Sequence, residues 1–244
     1  MILHLAAIAA TLATGAAVCA GLYWAFLNTP ESNTVTLTAS ALLVLTIGVA
    51  AGVTVNTAVL VARGTSLRRA LAAAAPGVFW FLLALGPSVI GWWAVGRVDA
   101  WVAAHSGEIH AWLMSRFGWA DIGRLLDAQT WVSRWLRWAV FPMLSLSLLA
   151  TLLTKEGGAP GAPGITRTTF VRRAWHWRPL AIATLVFVLL FALPWQLADW
   201  RPQLPPTWVE PAAAAGRLGV VLLLGLAGAA ILIIVAARDR ATND

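Results

Sequence analysis

The sequence predicts an all-α integral membrane protein with about six transmembrane helices and two amphipathic helices at the membrane surface. Hydrophobic residues make up 60 % of the 244-residue chain and charged residues only 11 %, whereas soluble domains usually carry about 25 % charged residues. The apolar residues form runs close to the roughly 20 residues that a helix needs to cross a bilayer. Basic residues cluster in the connections between these runs. Together these observations predict a polytopic membrane protein.

Six apolar stretches define the predicted spans, and residues 1–244 are expected to form a single transmembrane domain. The first run has the length of a signal peptide but no basic residue before its apolar part, so we interpret it as a retained helix. The fourth and fifth runs are short, and Trp138 and Trp195 near their ends suit the membrane interface. The predicted spans are 2–27, 35–62, 72–95, 138–154, 180–197 and 212–237.

The basic residues in the connections predict that both termini lie in the cytoplasm. Arg63, Arg68 and Arg69 lie between the second and third spans, and loop 155–178 after the fourth span carries further basic residues. Cytoplasmic loops are enriched in lysine and arginine. With six spans, these two connections and the C-terminal tail lie on one side. The expected location is the cytoplasmic (inner) membrane of a bacterium.

Two stretches are predicted to anchor the cytoplasmic face. RRALAAAAP (68–76) and RRAWHWRP (172–179) both open with Arg-Arg-Ala and reach a proline just before an apolar run. Arginines there would contact anionic headgroups, and tryptophan rings would lie at headgroup depth. The predicted anchor residues are Arg68, Arg69, Arg172, Arg173, Trp175, His176, Trp177 and Arg178.

The connection between the third and fourth spans, residues 97–137, is predicted to lie on the outer surface as two amphipathic helices. Apolar residues recur at helical spacing from Asp99 to Phe117 and again from Asp121 onward. Gly118 suits the end of the first helix, and Asp121 suits the cap of the second. Such helices lie in the membrane interface with their apolar face inward.

Tryptophan is distributed unevenly along the predicted topology. Of fifteen tryptophans, only Trp80, Trp175 and Trp177 are predicted to lie toward the cytoplasm. The outer helices therefore either lie among lipid headgroups or form a docking surface for a partner protein, a lipid or a glycolipid, since tryptophan and arginine often anchor interfaces. The predicted docking residues are Trp101, Trp112, Trp119, Trp131, Arg134, Trp135, Arg137 and Trp138.

His105, Glu108 and His110 are the weak candidates for a metal or catalytic site. His105 and Glu108 are spaced to share one helical face, but His110 points elsewhere, and metal sites need three or four converging ligands. We therefore expect solvated polar side chains here and no metal. Cys19 is the only cysteine, which excludes an internal disulfide. No cofactor is expected, because no histidine pair lies in facing spans to ligate haem.

The predicted function is that of a non-catalytic subunit that anchors or scaffolds partners in a larger membrane complex. Membrane lipids and other membrane-protein subunits are the expected partners. The formal charge of +7 does not indicate nucleic acid, because the arginines flank apolar runs and form no separate basic domain.

Two other functions are consistent with the sequence. The chain is similar in size, span number and terminal placement to the permease half of bacterial ABC exporters, which implies a cytoplasmic ATPase docked at 63–75 or 155–178. Two departures are the lack of an amphipathic helix before the first span and the position of the long outer connection after the third span. The other alternative is a membrane enzyme acting on a lipid-linked substrate through His105, Glu108 and His110.

Overall fold

The computed structural model describes residues 2–30, 32–118, 121–156, 177–194, 196 and 209–238. All regular secondary structure in these ranges is helical, as the sequence predicts. The helices are α1 (Ile2–Leu27), α2 (Thr34–Ala62), α3 (Leu67–Ala74), α4 (Val78–Ala104), α5 (Ser106–Phe117), α6 (Ile122–Trp135), α7 (Phe141–Glu156), α8 (Trp177–Val186) and α9 (Val209–Arg238). Two π-helical segments, π1 (Leu136–Val140) and π2 (Phe187–Ala192), follow α6 and α8.

Among the described residues, five helices are long and apolar enough to cross a membrane. They are Leu5–Leu27, Thr34–Ala62, Val78–Ala104, Gly123–Leu153 and Val209–Ala237. The predicted span 180–197 overlaps a shorter apolar helix, Pro179–Leu190. The all-helical class is therefore confirmed, with five candidate membrane spans in the described ranges, and a sixth crossing stays a prediction.

The first two helices agree with the predicted spans to within one residue. The side chain of Asn33 accepts a hydrogen bond from the N–H of Thr36 at 3.0 Å, and the Thr36 hydroxyl accepts one from the Asn33 N–H at 3.2 Å. This reciprocal capping box fixes the start of α2. Gly15 of α1 faces Thr54 of α2 without room for a Cβ atom, so a small residue allows these helices to approach closely.

The third predicted span, 72–95, differs from the structure at both ends. Ala72 belongs to the short helix α3, and α4 begins only at Val78. Pro76 lies in the break between them, where its missing N–H would interrupt a continuous helix. At the other end α4 continues to Ala104, well beyond the predicted limit. It therefore includes Asp99 and Trp101, which the sequence analysis assigned to the surface segment.

The second predicted surface helix is continuous with the fourth span. Helix α6 passes through π1 into α7, so that Gly123–Leu153 forms one candidate span. In π1 the N–H of Phe141 donates to the carbonyl oxygen of Leu136, five residues back. Pro142 follows at once, and its ring would clash with a carbonyl oxygen four residues earlier in a regular α-helix. The wider π turn explains how the helix continues past the proline.

Most of the buried apolar side chains in the described ranges form two clusters. The larger cluster joins α1, α2, α3, α4, α7 and α9, and includes Ile8, Val59 and Leu149. The smaller cluster joins π1, α7, α8, π2 and α9, and includes Met143 and Phe187. The smaller cluster packs beside the groove described below.

Candidate functional site

Asp99 joins α4 to α6 and π1. Its Oδ2 atom pairs with Nη2 of Arg137 at 2.7 Å. Its Oδ1 atom accepts hydrogen bonds from Nε2 of Gln129 at 2.5 Å and from the Ser133 hydroxyl at 2.6 Å. The Asp99 and Arg137 side chains are only 27 % and 25 % exposed, and such partial burial strengthens charge-assisted hydrogen bonds. These contacts satisfy a carboxylate that lies inside a mostly apolar helix.

Trp92 makes the second connection between α4 and π1. Its Nε1 atom donates to the carbonyl oxygen of Arg137 at 3.1 Å, and the Arg137 guanidinium lies 5.7 Å from the centre of its ring. The N–H of Phe141 donates to Leu136, and Pro142 has no N–H to offer. The carbonyl oxygen of Arg137 would otherwise accept from one of these two residues. The Trp92 indole therefore supplies the hydrogen-bond donor that the helix itself does not offer to this oxygen.

An apolar groove lies where π1 and π2 meet α9. Its cavity volume is about 370 Å³, within the roughly 300–1,000 Å³ of ligand pockets. Trp131, Arg134 and Trp138 form one wall, Phe187 and Leu190 of π2 form a second, and Gly225 of α9 contributes to the third. π-Helical segments occur frequently at functional sites. The smaller core cluster fixes both of them in place.

Arg134 is the one charged residue among the described residues that line the groove. Its guanidinium carbon lies 5.7 Å from the centre of the Trp131 ring, in cation–π contact. In the described part of the chain, no carboxylate forms an ion pair with Arg134. The groove thus combines apolar walls with one positive charge.

Trp135 holds α6 against α8. Its Nε1 atom donates to the hydroxyl of Thr184 at 3.0 Å. Trp131, Trp135 and Trp138, which are all predicted docking residues, therefore have different roles. Two of them line the groove, and the third fixes the packing of two helices.

Helix α5 presents an uncovered aromatic face formed by Trp112 and Phe117, and Met114, two residues from Trp112, lies on another side of the helix. Trp112, Met114 and Phe117 are 57 %, 45 % and 63 % exposed, and α5 has no buried residue. The Trp112 and Phe117 rings meet edge to face, with centres 5.6 Å apart. Gly118 ends the helix at φ +65°, a left-handed conformation that favours glycine. In the described ranges, α5 packs mainly against the end of α4.

The structure does not bring His105, Glu108 and His110 together as ligands. No group of three His, Cys, Asp or Glu residues able to hold a metal occurs among the described residues. The His105 ring stacks on Trp101 with centres 4.9 Å apart, and its Nδ1 atom lies 2.9 Å from the Trp101 carbonyl oxygen. His105 therefore packs at the junction of α4 and α5.

The other predicted residues lie at several places. Trp101 lies near the end of α4, Trp112 lies on α5, and Arg137 pairs with Asp99. Arg68 and Arg69 are exposed on α3. The residues outside the described ranges are Trp119, Arg172, Arg173, Trp175 and His176. Trp177 and Arg178 begin α8.

Sequence reasoning missed the role of Asp99 and Trp92, and it missed the groove. The sequence places Asp99 in the predicted surface connection, although an acidic residue at the end of an apolar run can also signal a buried partner. The described residues of α9 that line the groove are apolar residues and glycine. The sequence therefore contains no polar side chain there that would indicate a binding site.

Comparisons with protein-family models, with curated proteins and with solved structures find no match to this chain.

Proposed function

We propose that this protein is a non-catalytic subunit of a larger assembly in the inner membrane of a bacterium. It crosses the membrane six times, with both termini in the cytoplasm. Helix α5 and the neighbouring end of α4 form the surface that docks another membrane-protein subunit. The observation that carries this proposal is the aromatic face of α5, formed by the exposed side chains of Trp112 and Phe117.

The stability of α5 supports a docked partner. The helix has 12 residues, and isolated helices shorter than about 12–15 residues are marginal in water. Most helical stability in proteins comes from packing of one apolar face, and α5 buries none of its residues within the described chain. A second surface against this face would supply the missing packing.

The composition of the exposed face favours a protein surface over lipid headgroups alone. Tryptophan and phenylalanine are enriched at protein interfaces, and aromatic residues often contribute most of the binding energy. The edge-to-face pair of Trp112 and Phe117 forms a rigid anchor that a partner pocket can receive.

Purification in mild detergent tests the proposal. The tagged full-length chain is extracted gently, and the proteins that accompany it are identified by mass spectrometry. Stoichiometric membrane subunits are expected with the native chain, and their loss is expected in the Trp112→Ser/Phe117→Ser variant. Tyr23→Ser/Trp24→Ser is the matched control, because it removes two exposed aromatic residues at the end of α1. A solitary native chain contradicts the proposal.

Helix α3 favours a second candidate function, the permease half of a transporter that works with a separate ATPase. This short helix buries Ala70 and Ala74 and exposes Arg68, Arg69 and Leu71. On the proposed topology, these exposed side chains form a basic docking element at the cytoplasmic face. An ATPase that accompanies the native chain and is lost in Arg68→Glu/Arg69→Glu would favour this function.

A further inference from the structure

We propose that the groove binds one acyl chain of a glycerophospholipid with an anionic headgroup, and that Arg134 binds its phosphate. The site goes beyond the proposed function and does not depend on a protein partner. It uses the wall formed by Trp131, Arg134 and Trp138, which lies apart from the aromatic face of α5.

The dimensions of the groove fit a lipid chain. Its lining residues extend from Trp131 to Trp138 on one side and from Phe187 to Pro194 on another. At a rise of about 1.5 Å per residue, seven steps along a helix cover about 10 Å. A groove of this length, with a cavity of about 370 Å³ and apolar walls, suits one extended acyl chain.

The charge of Arg134 makes the site selective. Lipid tails are as apolar as the groove walls, so apolar contact by itself gives little preference for the groove over the bilayer. A guanidinium donates two parallel hydrogen bonds to a phosphate, and the ring of Trp131 positions the Arg134 guanidinium. No acidic side chain lines the groove among the described residues. Phosphatidylcholine offers the same phosphate, but its choline cation cancels the phosphate charge, so a headgroup with a net negative charge complements the site better.

The first test replaces the charge. Delipidated full-length protein receives phosphatidylglycerol or phosphatidylcholine, and native mass spectrometry counts the lipids that stay bound. The native chain is expected to retain one phosphatidylglycerol in preference to phosphatidylcholine. Arg134→Gln is expected to weaken that retention about fivefold, the effect of one arginine near a membrane surface, and to remove the preference.

Arg97→Gln is the matched control for this substitution. The Arg97 guanidinium lies 6.0 Å from the centre of the Trp93 ring, in nearly the same cation–π geometry as Arg134 over Trp131, and it does not line the groove. Lipid retention by Arg97→Gln is expected to equal that of the native chain.

The second test fills the groove. A Cβ atom at Gly225 meets no atom within 4 Å among the described residues, and the same holds at Gly219, which does not line the groove. Leucine favours a helix over glycine, so both variants should fold. Gly225→Leu is expected to lose the bound phosphatidylglycerol, and Gly219→Leu is expected to keep it. Unchanged retention in either Arg134→Gln or Gly225→Leu overturns the proposal, as does equal retention of the two lipids by the native chain.

Discussion

The indole nitrogen of Trp92 donates a hydrogen bond to the carbonyl oxygen of Arg137 at 3.1 Å. This bond joins α4 to π1 at the point where Pro142 leaves the helix one donor short. The rings of Trp92 and Trp138 also meet edge to face, with centres 5.2 Å apart. Trp138 lines the groove. Trp92 therefore has two roles: its indole nitrogen donates to the interrupted helix, and its ring contacts a side chain in the wall of the proposed lipid site.

Loss of the Asp99 carboxylate is expected to destabilise the fold. Asp99→Ala leaves the partly buried Arg137 without its ion pair, and Gln129 and Ser133 lose their acceptor. Removal of one partner from such a network costs about 2–4 kcal/mol. The free energy of unfolding in mixed micelles measures the effect.

Arg124→Gln is the control for Asp99→Ala. It removes the ion pair between Arg124 and Asp121, whose side chains are 89 % and 59 % exposed, and it keeps Asp121 as the cap of α6. Exposed pairs contribute about 0–1 kcal/mol. Equal losses from Arg124→Gln and Asp99→Ala would show that the network does not stabilise the junction of α4 and π1.

Because Trp92 donates a hydrogen bond to π1, the effect of replacing Trp92 on the free energy of unfolding is expected to depend on whether residue 142 is proline. Trp92→Phe removes the donor and is expected to cost about 1 kcal/mol in the free energy of unfolding. In Pro142→Ala the residue gains an N–H five positions after Arg137, so the same carbonyl oxygen has another donor. The cost of Trp92→Phe should then fall, and a double-mutant cycle measures this difference.

Trp93→Phe serves as the control for this cycle. Trp93 is 68 % exposed, and its indole nitrogen makes no hydrogen bond within the described residues. Its substitution should change stability little. Strict additivity of Trp92→Phe and Pro142→Ala would contradict the assigned bond.

The helical class and the first two helices follow directly from the sequence. Their apolar runs are uninterrupted, and Asn33 supplies a cap by purely local hydrogen bonds. The end of α4 could not be found in this way. Arg97 and Asp99 resemble a span boundary, but Asp99 stays in the helix because Arg137, 38 residues away, neutralises it.

The π segments and the groove also escaped prediction from the sequence. Pro142 shows where a regular helix is disturbed, but it does not show whether the chain breaks there or widens into a π turn. The groove depends on contacts among three elements that are far apart in the chain, and its α9 wall contains only apolar residues and glycine. Trp131, Arg134 and Trp138 were identified as docking residues by composition, without the cavity that joins them.

Two neighbouring residues on α2 should respond in opposite ways to apolar substitution. Asn56 is fully buried, and its Nδ2 atom donates to the carbonyl oxygen of Ala74 at the end of α3, at 3.1 Å. Asn56→Leu leaves that oxygen without a donor, and it also removes the buried Asn56 Oδ1 atom, which has no hydrogen-bond partner among the described residues. The first effect is expected to be larger, with a net cost of about 1 kcal/mol.

Thr57 is the matched position. Its hydroxyl is also fully buried, but it has no hydrogen-bond partner among the described residues. Thr57→Val removes an unsatisfied polar atom at nearly constant shape, so stability is expected to stay the same or rise. Thermal unfolding of both variants in detergent checks the pair. A greater loss from Thr57→Val than from Asn56→Leu would contradict this assignment.

Glycine substitutions on α1 test its packing against α2. At Gly15 a Cβ atom would overlap the side chain of Thr54, whereas at Gly21 it meets no atom within 4 Å among the described residues. Gly15→Ala should therefore force the helices apart and lower the melting temperature. Gly21→Ala should raise it slightly, because alanine favours a helix by about 1 kcal/mol. Similar shifts in both variants would exclude close packing at Gly15.

The most direct test of the proposed docking surface is photocrosslinking from the face of α5 in native membranes. The photoreactive residue p-benzoylphenylalanine replaces Trp112 in one variant and Trp24, an exposed tryptophan on α1, in a control. We expect a crosslinked protein of discrete mass from position 112 and none from position 24. Crosslinks to lipid alone at position 112 would contradict the proposal that α5 docks another membrane-protein subunit.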